Sequence, residues 1–565
     1  MSTVDKPAGN AGVESGTRLP SRRRFLSVIG AATAGSALLQ SMTGAIPATA
    51  APAGQFRQGR GGARQAGTVL IIGAGVAGLR AARLLLDQGY SVEISEALDR
   101  PGGRNFTART GDKVVENGSG GTITTQTCTF DEGLYLNLGA GRIPYHHRRV
   151  LDLCSRLEVL LEPYIMETTA NRFAAVGGVA ETNRRVANDT RGHLAALLHR
   201  AVKKGALTAE LAALSSSQQE NLLDLLTVFG DLNTTKDFEY TGSTRAGNKV
   251  PLSVTDMPQA PTPLGLGDLI DARYWQNQFY HPVNHLWQAT MFQPVGGMDM
   301  IVKALVGDLP EGTITYDDPV TSVEILPDGV LVKSAKGGER TVDYCLSNMP
   351  LPVLHEKVLK GGFSSDFQKA VGILKFGPSC KVGWQANERF WESDKYQIYG
   401  GISWTNDIIQ QVWYPSNDYF SEKGTMTGAY NFDDDAIKMG EMSLAERLDT
   451  ARQSATRLHT EFGDTDIVPN NGLSIAWHKV PYQSGVSAHW DPADVNSAFA
   501  YSRLLAPDTP TNRRFFVIGD QVSPLPGWQE GALMSAEYVV GQLTGTQRSE
   551  PPVVHQVPDS RALRP

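Results

Sequence analysis

Thr68-Val69-Leu70-Ile71-Ile72-Gly73-Ala74-Gly75-Val76-Ala77-Gly78 is the stretch on which the fold turns. A short β-branched apolar run passes directly into a G-x-G-x-x-G turn. A helical pattern follows from Leu79 to Gln88, and a second strand, Tyr90 to Ser95, ends in Glu96. The glycines alone say little, but strand, turn, helix, strand and acid in this order predict a Rossmann-type dinucleotide site. Gly73 permits the turn, Gly75 lets the backbone approach a diphosphate, and Gly78 lets the helix pack on the strand. The helix N-terminus, with Ala77 in its first turn, faces the phosphates with its partial positive charge. Glu96 is placed to accept from ribose hydroxyls and would repel a 2′-phosphate, which disfavours NADP.

Immediately after Glu96 the chain reads Ala97-Leu98-Asp99-Arg100-Pro101-Gly102-Gly103-Arg104, a second glycine-rich turn ending in a cation. An NAD site has no need of it, whereas a longer dinucleotide lying across the domain does. The segment resembles the E-A-x-x-R-x-G-G-R stretch of flavin-dependent amine oxidases. The resemblance implies FAD, with Glu96 on the adenosine ribose, Arg104 on the diphosphate, and Ala97 and Gly103 among the cofactor contacts. Far along the chain, Arg514 to Ile518 reads as a buried strand running into Gly519-Asp520, and Gly527-Trp528-Gln529-Glu530-Gly531-Ala532 resembles the same family's G-W-x-x-G-A. By that likeness Gly519 and Asp520 meet the ribityl chain, backbone at Gly527, Gly531 and Ala532 meets the flavin, and Trp528 borders the substrate cavity. Gly296-Gly297-Met298-Asp299 is another family pattern, and Val320, in a strand from Pro319 to Leu326, would contact the adenine.

Within the family, Glu132 to Pro144 is similar to the E-G-W-Y-x-N-L-G-P-M-R-L-P segment of L-amino acid oxidases. This implies that Arg142 pairs with the substrate α-carboxylate, for which a planar guanidinium fork is well suited. Gly139, Ala140 and Gly141 would lie against the flavin, and Gly-Ala-Gly-Arg in place of G-P-M-R alters the backbone there. Gly400 to Pro415 resembles the family's G-G-x-S…Y-Y-P, which makes Tyr414 the second carboxylate donor. Lys381, in a match to T-K-I-x-L…F-W-E, corresponds to the lysine that holds a water near flavin N5. Trp477 opens a W-x-x-x-x-Y-x-x-G match and, with Trp528, would flank the substrate amine and keep the site dry.

The expected fold is α/β (mixed α+β). A Rossmann-like FAD domain is assembled from 67–144, 291–350 and 505–545, a mixed-sheet substrate-binding domain from 234–290 and 351–504, and a helical insert from 145–233. In the insert, Leu151 to Leu161 and His193 to Val202 have helical apolar spacing, and Ser217-Gln218-Gln219-Glu220 reads as a capping box. His146-His147-Arg148-Arg149 reads as a surface helix start, since adjacent histidines do not share a helix face.

Ahead of this, Ser21-Arg22-Arg23-Arg24-Phe25-Leu26, a mildly apolar stretch from Ser27 to Leu39 and Ala48-Thr49-Ala50 have the order of a twin-arginine signal peptide over 1–50. A flexible leader at 51–66 follows, and a tail closes the chain at 546–565. Export by the twin-arginine machinery to the periplasm or medium is expected. No membrane anchor is expected, because the apolar run is too short. Loss of residues 1–50 removes five basic and two acidic side chains, taking the formal charge from −7 to −10. That balance argues against a nucleic-acid partner. Across 565 residues, 41% apolar content excludes disorder as the main state, and four cysteines without C-x-x-C spacing signal neither a disulfide framework nor a metal site.

The expected activity is oxidation of an L-amino acid with oxygen and water to a 2-oxo acid, ammonia and hydrogen peroxide, by hydride transfer from Cα to flavin N5. Three alternatives stay open: an oxidase of primary amines or polyamines with no carboxylate, a flavin dehydrogenase using another acceptor, and a flavin-binding chain without turnover. A homodimer is expected by analogy only.

Overall fold

The computed structural model describes residues 66–546 except 119–120, 176–177, 179, 275–284, 492–493 and 509–512. The segments expected to form the export signal, most of the leader and nearly all of the tail lie outside these residues.

A five-stranded parallel sheet is built from stretches far apart in the chain. Its order is Ile314–Thr315, Ser91–Ser95, Thr68–Ile72, Tyr344–Ser347, Phe515–Val517. The strands read as continuous apolar runs because both faces of the sheet are covered. Alternate side chains divide between two cores. Leu70, Ile72, Cys345, Phe515 and Val517 enter one. Val69, Ile71, Ile94, Leu346 and Phe516 enter the other, under the helices Val76–Asp87 and Gln529–Thr544. Each fully buried Leu, Ile or Phe contributes about 1.5–3 kcal/mol. The helix after the first turn begins at Val76, three residues earlier than the apolar spacing suggests.

A second, seven-stranded sheet runs Glu181–Thr182, Arg172–Ala174, Ile402–Thr405, Gln411–Trp413, Gly424–Phe432, Ser379–Ala386, Leu473–Ala476. It is antiparallel except for the pairing of Ile402–Thr405 with Arg172–Ala174. A small antiparallel sheet of Ile143–Pro144, Met291–Pro294 and Leu161–Tyr164 fixes the chain directly after Arg142.

The region 145–233 is less helical than its spacing suggests. Helix Arg148–Arg156 stops short of Leu161, Glu158 takes a left-handed φ of 57°, and three short strands follow before helix Asn183–Lys203. Pro163 explains part of this, since a residue before proline avoids the helical region. The capping box is present but two residues earlier: Ser215 Oγ accepts from Gln218 N at 3.3 Å, and Gln218 Oε1 accepts from Ser215 N at 2.8 Å. Both S-x-x-Q and S-x-x-E fit the pattern, and the first serine wins because the helix starts at Ser216. Among the described residues no helix is long and apolar enough to cross a membrane, and no His/Cys/Asp/Glu group could hold a metal.

Candidate active site

One long cavity joins the C-terminal ends of the parallel strands to the seven-stranded sheet. At its first end Gly73, Gly75, Ala77, Glu96, Ala97, Gly103, Arg104, Val320 and Asp520 form the wall. At its second end Gly139, Ala140, Gly141, Arg142, Trp477, Gly527, Trp528 and Ala532 do. Gly78, Gly519 and Gly531 do not line it. A Cβ on Gly78 would stand 2.1 Å from the Gly73 carbonyl oxygen, and one on Gly531 would stand 2.3 Å from that of Leu525. Gly519 has φ +114° and would meet Asn348 Oδ1 at 2.8 Å. Gly78 and Gly531 bring backbone together behind the wall, and Gly519 makes room there for the Asn348 side chain.

The first end is built for a dinucleotide. Glu96 is buried, and its carboxylate accepts from Ala74 N at 2.7 Å and Leu98 N at 2.9 Å. Burial pushes its pKa up while these amides and the Arg100 charge oppose the rise. Arg104 forks onto Asp520, with Nη1 donating to Oδ2 at 3.1 Å, and Asp520 also accepts from Gly527 N at 2.7 Å. Asn105, 6% exposed, has neither side-chain atom hydrogen-bonded, and the buried Gln529 Nε2 lacks an acceptor. Trp528, the N-cap residue of helix Gln529–Thr544, offers no side-chain cap to its first amides. Buried polar groups are almost always paired in native proteins, so unpaired ones in a cleft fit a polar ligand that pairs them. The donor set fits FAD.

At the second end Arg142 is 8% exposed and forms no ion pair with any described carboxylate. Its guanidinium carbon lies 4.3 Å from the Trp287 ring centroid, 4.8 Å from Trp413 and 5.6 Å from Trp528, and Nε has no acceptor. Burial lowers its pKa, with Tyr164 and Tyr430 opposing. Trp477 Nε1 donates to Leu138 O at 3.0 Å, which holds its ring in the wall.

Tyr414 is not at this site. Its hydroxyl donates to Ser403 Oγ at 2.7 Å and contacts His459 Nε2, within the core on the other side of the sheet. Successive residues in an extended segment point to opposite faces, so Trp413, its neighbour, enters the cavity instead. Trp413 also explains the unusual Gly-Ala-Gly-Arg: a Cβ on Gly141 would meet the indole at 2.8 Å. The tyrosine that does line the cavity is Tyr430, beside Arg142 and 5.0 Å from Trp413, its pKa pushed up to about 12 by burial against the Arg142 charge. Sequence reading missed it because only strand register reveals it: Tyr430 pairs with Lys381 across the sheet.

Lys381 is 2% exposed and stands behind the wall. Nζ donates to Gly139 O at 2.7 Å and Asn137 O at 3.2 Å, beneath the rings of Tyr430 and Trp413. Burial, then the Arg142 charge, depresses its pKa to about 7. His147 is not a surface residue either. It is 2% exposed and lines the cavity, its ring edge-on to Trp528 at 4.8 Å.

Residues 76–544 match the family of flavin containing amine oxidoreductases. The chain belongs to that family. FAD is its cofactor, and the amine oxidase fold is the one expected from the glycine-rich turns. This flavin amine oxidoreductase is 27% identical over 494 residues to the flavin-dependent L-tryptophan oxidase of Lentzea aerocolonigenes, covering 83% of this chain and 96% of that one. It is 26% identical over 508 residues to an L-amino-acid oxidase of Siganus canaliculatus, covering 83% of each. A putrescine oxidase solved with putrescine superposes with a TM-score of 0.55 at 18% identity, over 85% of this chain and 99% of that one. At that identity the likeness speaks for the fold alone.

Proposed function

We propose that this flavin amine oxidoreductase oxidises an L-amino acid, with oxygen and water, to the 2-oxo acid, ammonia and hydrogen peroxide. The observation that carries this reading is Arg142: a buried guanidinium with no carboxylate partner, facing the cavity. Burying an unpaired charge costs several kcal/mol, and an α-carboxylate offsets that cost where a simple amine does not. The names of the tryptophan and amino-acid oxidases above support the same substrate class.

FAD, when bound, supplies the two-electron acceptance. Arg142 grips the carboxylate and the Tyr430 hydroxyl donates a second bond to it, which fixes where Cα lies. The indoles of Trp477 and Trp528 exclude water and favour the neutral amine, whose lone pair hydride loss requires. Lys381, with its pKa near neutrality, holds the carbonyl of Gly139 and would influence the reaction with oxygen from behind the wall.

Peroxide release by the purified yellow protein, measured against L-amino acids, D-amino acids and simple amines, tests the reading. Turnover of L-amino acids only is expected, and oxidation of amines with no response to amino acids would sink it.

A further inference from the structure

We propose that His147 and Gln529 form an uncharged hydrogen-bonding pair that grips a carbonyl or carboxylate oxygen of the molecule bound in the cavity. The two side chains reach the cavity from adjoining helix starts. His147 directly precedes helix Arg148–Arg156, and Gln529 is the first residue of helix Gln529–Thr544. The two starts are bolted together by Glu530, whose carboxylate accepts from Val150 N at 3.0 Å, Arg149 N at 3.3 Å and Arg149 Nη1 at 3.2 Å. That carboxylate occupies amides of the first helix, so what remains open there is the imidazole itself.

His147 Nε2 and Gln529 Nε2 are both buried, both without a hydrogen-bond partner in the protein, and both residues line the cavity. An unmet buried polar atom costs about 1–3 kcal/mol, which a ligand atom recovers. The imidazole is uncharged across the working range: burial, then His146 and Arg142, push its pKa down to about 3. Arg142 therefore supplies the charge at this end, and the neutral pair supplies direction. A second cation beside Arg142 would raise the cost of the empty cavity.

Two sources present such an oxygen: a ring carbonyl of the flavin and the carboxylate of the substrate. The first rests on family membership alone, and the second on the amino-acid reading. Three variants separate them: His147→Phe, which keeps a ring edge against Trp528 but no N–H, His147→Gln, which keeps an N–H, and Gln529→Leu. For each folded variant, the FAD dissociation constant of the apoprotein and the benzoate dissociation constant of the holoenzyme, from its flavin difference spectrum, are measured. His147→Phe and Gln529→Leu are expected to weaken the same ligand by about tenfold or more, and His147→Gln to stay within about threefold of wild type. Weaker FAD with unchanged benzoate assigns the flavin carbonyl, and the reverse assigns the carboxylate. A ring that merely props Trp528 would tolerate Phe and suffer from Gln, which overturns the proposal. So do both constants within about twofold of wild type in His147→Phe. Should that variant not fold, Gln529→Leu decides on the same thresholds. Should wild type ignore benzoate, the KM of an L-amino acid substrate replaces the benzoate constant on the same thresholds, and the FAD constants decide the other arm.

Discussion

Arg142, Tyr430 and Tyr414 make a set of three at the residue scale, because sequence spacing and folded position disagree about which tyrosine matters. Removing the buried guanidinium should cost about 2–4 kcal/mol in transition-state binding, as expected for a desolvated charge pair. The kcat/KM of Arg142→Ala for an amino acid should therefore fall by about a hundredfold, and an unchanged value would take Arg142 out of the site. For Tyr430→Phe we expect a loss of about 1.5–3 kcal/mol in the same quantity, the usual worth of a hydrogen bond to a charged group. Tyr414→Phe should behave oppositely. It strands Ser403 and His459 in the core and so should cost about 1 kcal/mol of stability in a denaturant titration while leaving kcat/KM near wild type. Equal kinetic damage from both tyrosine variants would contradict the placement. The sequence led to the right strand corner and the wrong residue, since a two-residue periodicity cannot be phased when the chain turns at a proline. Arg142 was found through the likeness of Glu132 to Pro144 to the L-amino acid oxidase segment, and the structure places it in the cavity wall.

At the scale of the element, strand Ser379–Ala386 has every side chain buried, including a lysine. The folded Lys381 pKa of about 7 lies below the value near 10.4 of an unfolded lysine. Between these two values the unfolded chain binds more protons, so the penalty of burying this group is full below pH 7 and fades as pH rises toward 10. Wild type should thus gain about 3 kcal/mol of unfolding free energy relative to Lys381→Met between pH 7 and pH 9.5. Parallel pH profiles for the two proteins would refute a depressed lysine. The same variant should slow reoxidation of reduced flavin by oxygen in stopped flow if Lys381 acts on that step. Elements were readable where one rule dominated, as in the strand-turn-helix at Thr68–Asp87. They were misread across 145–233, where apolar residues at Leu151 to Leu161 satisfy helical spacing but Pro163 and the sheet partners of Leu161–Tyr164 take the last of them.

For the whole molecule, the cavity is a seam between two sheets. Saturation with FAD at about one hundred times its dissociation constant should add about 2.7 kcal/mol of stability over the apoprotein, visible as a concentration-dependent rise in Tm. A Tm indifferent to added FAD would argue against a reversible, dinucleotide-sized site. Export is a separate proposal, resting on residues 1–50. Changing Arg22 and Arg23 to lysine should leave active, flavin-loaded protein in the cytoplasm, and undiminished export would remove the twin-arginine assignment. Long-range assembly was partly foreseen from matching glycine turns at both ends of the chain. The aromatic enclosure of Arg142 was not, because Trp287, Trp413 and Trp528 come from three separate segments and no local pattern links them.

The central sheet has a consequence in time as well as in space. Its strand Thr68–Ile72 is made well before Tyr344–Ser347, that strand well before Phe515–Val517, and Asp520, Gly527 and Trp528 emerge from the ribosome later still. A nascent chain therefore carries half a cleft for most of its synthesis, with the exposed edge of Tyr344–Ser347 waiting for its neighbour. FAD can be captured only once the residues through Trp528 have been made, and a chain truncated before Phe515 should emerge colourless and prone to aggregate.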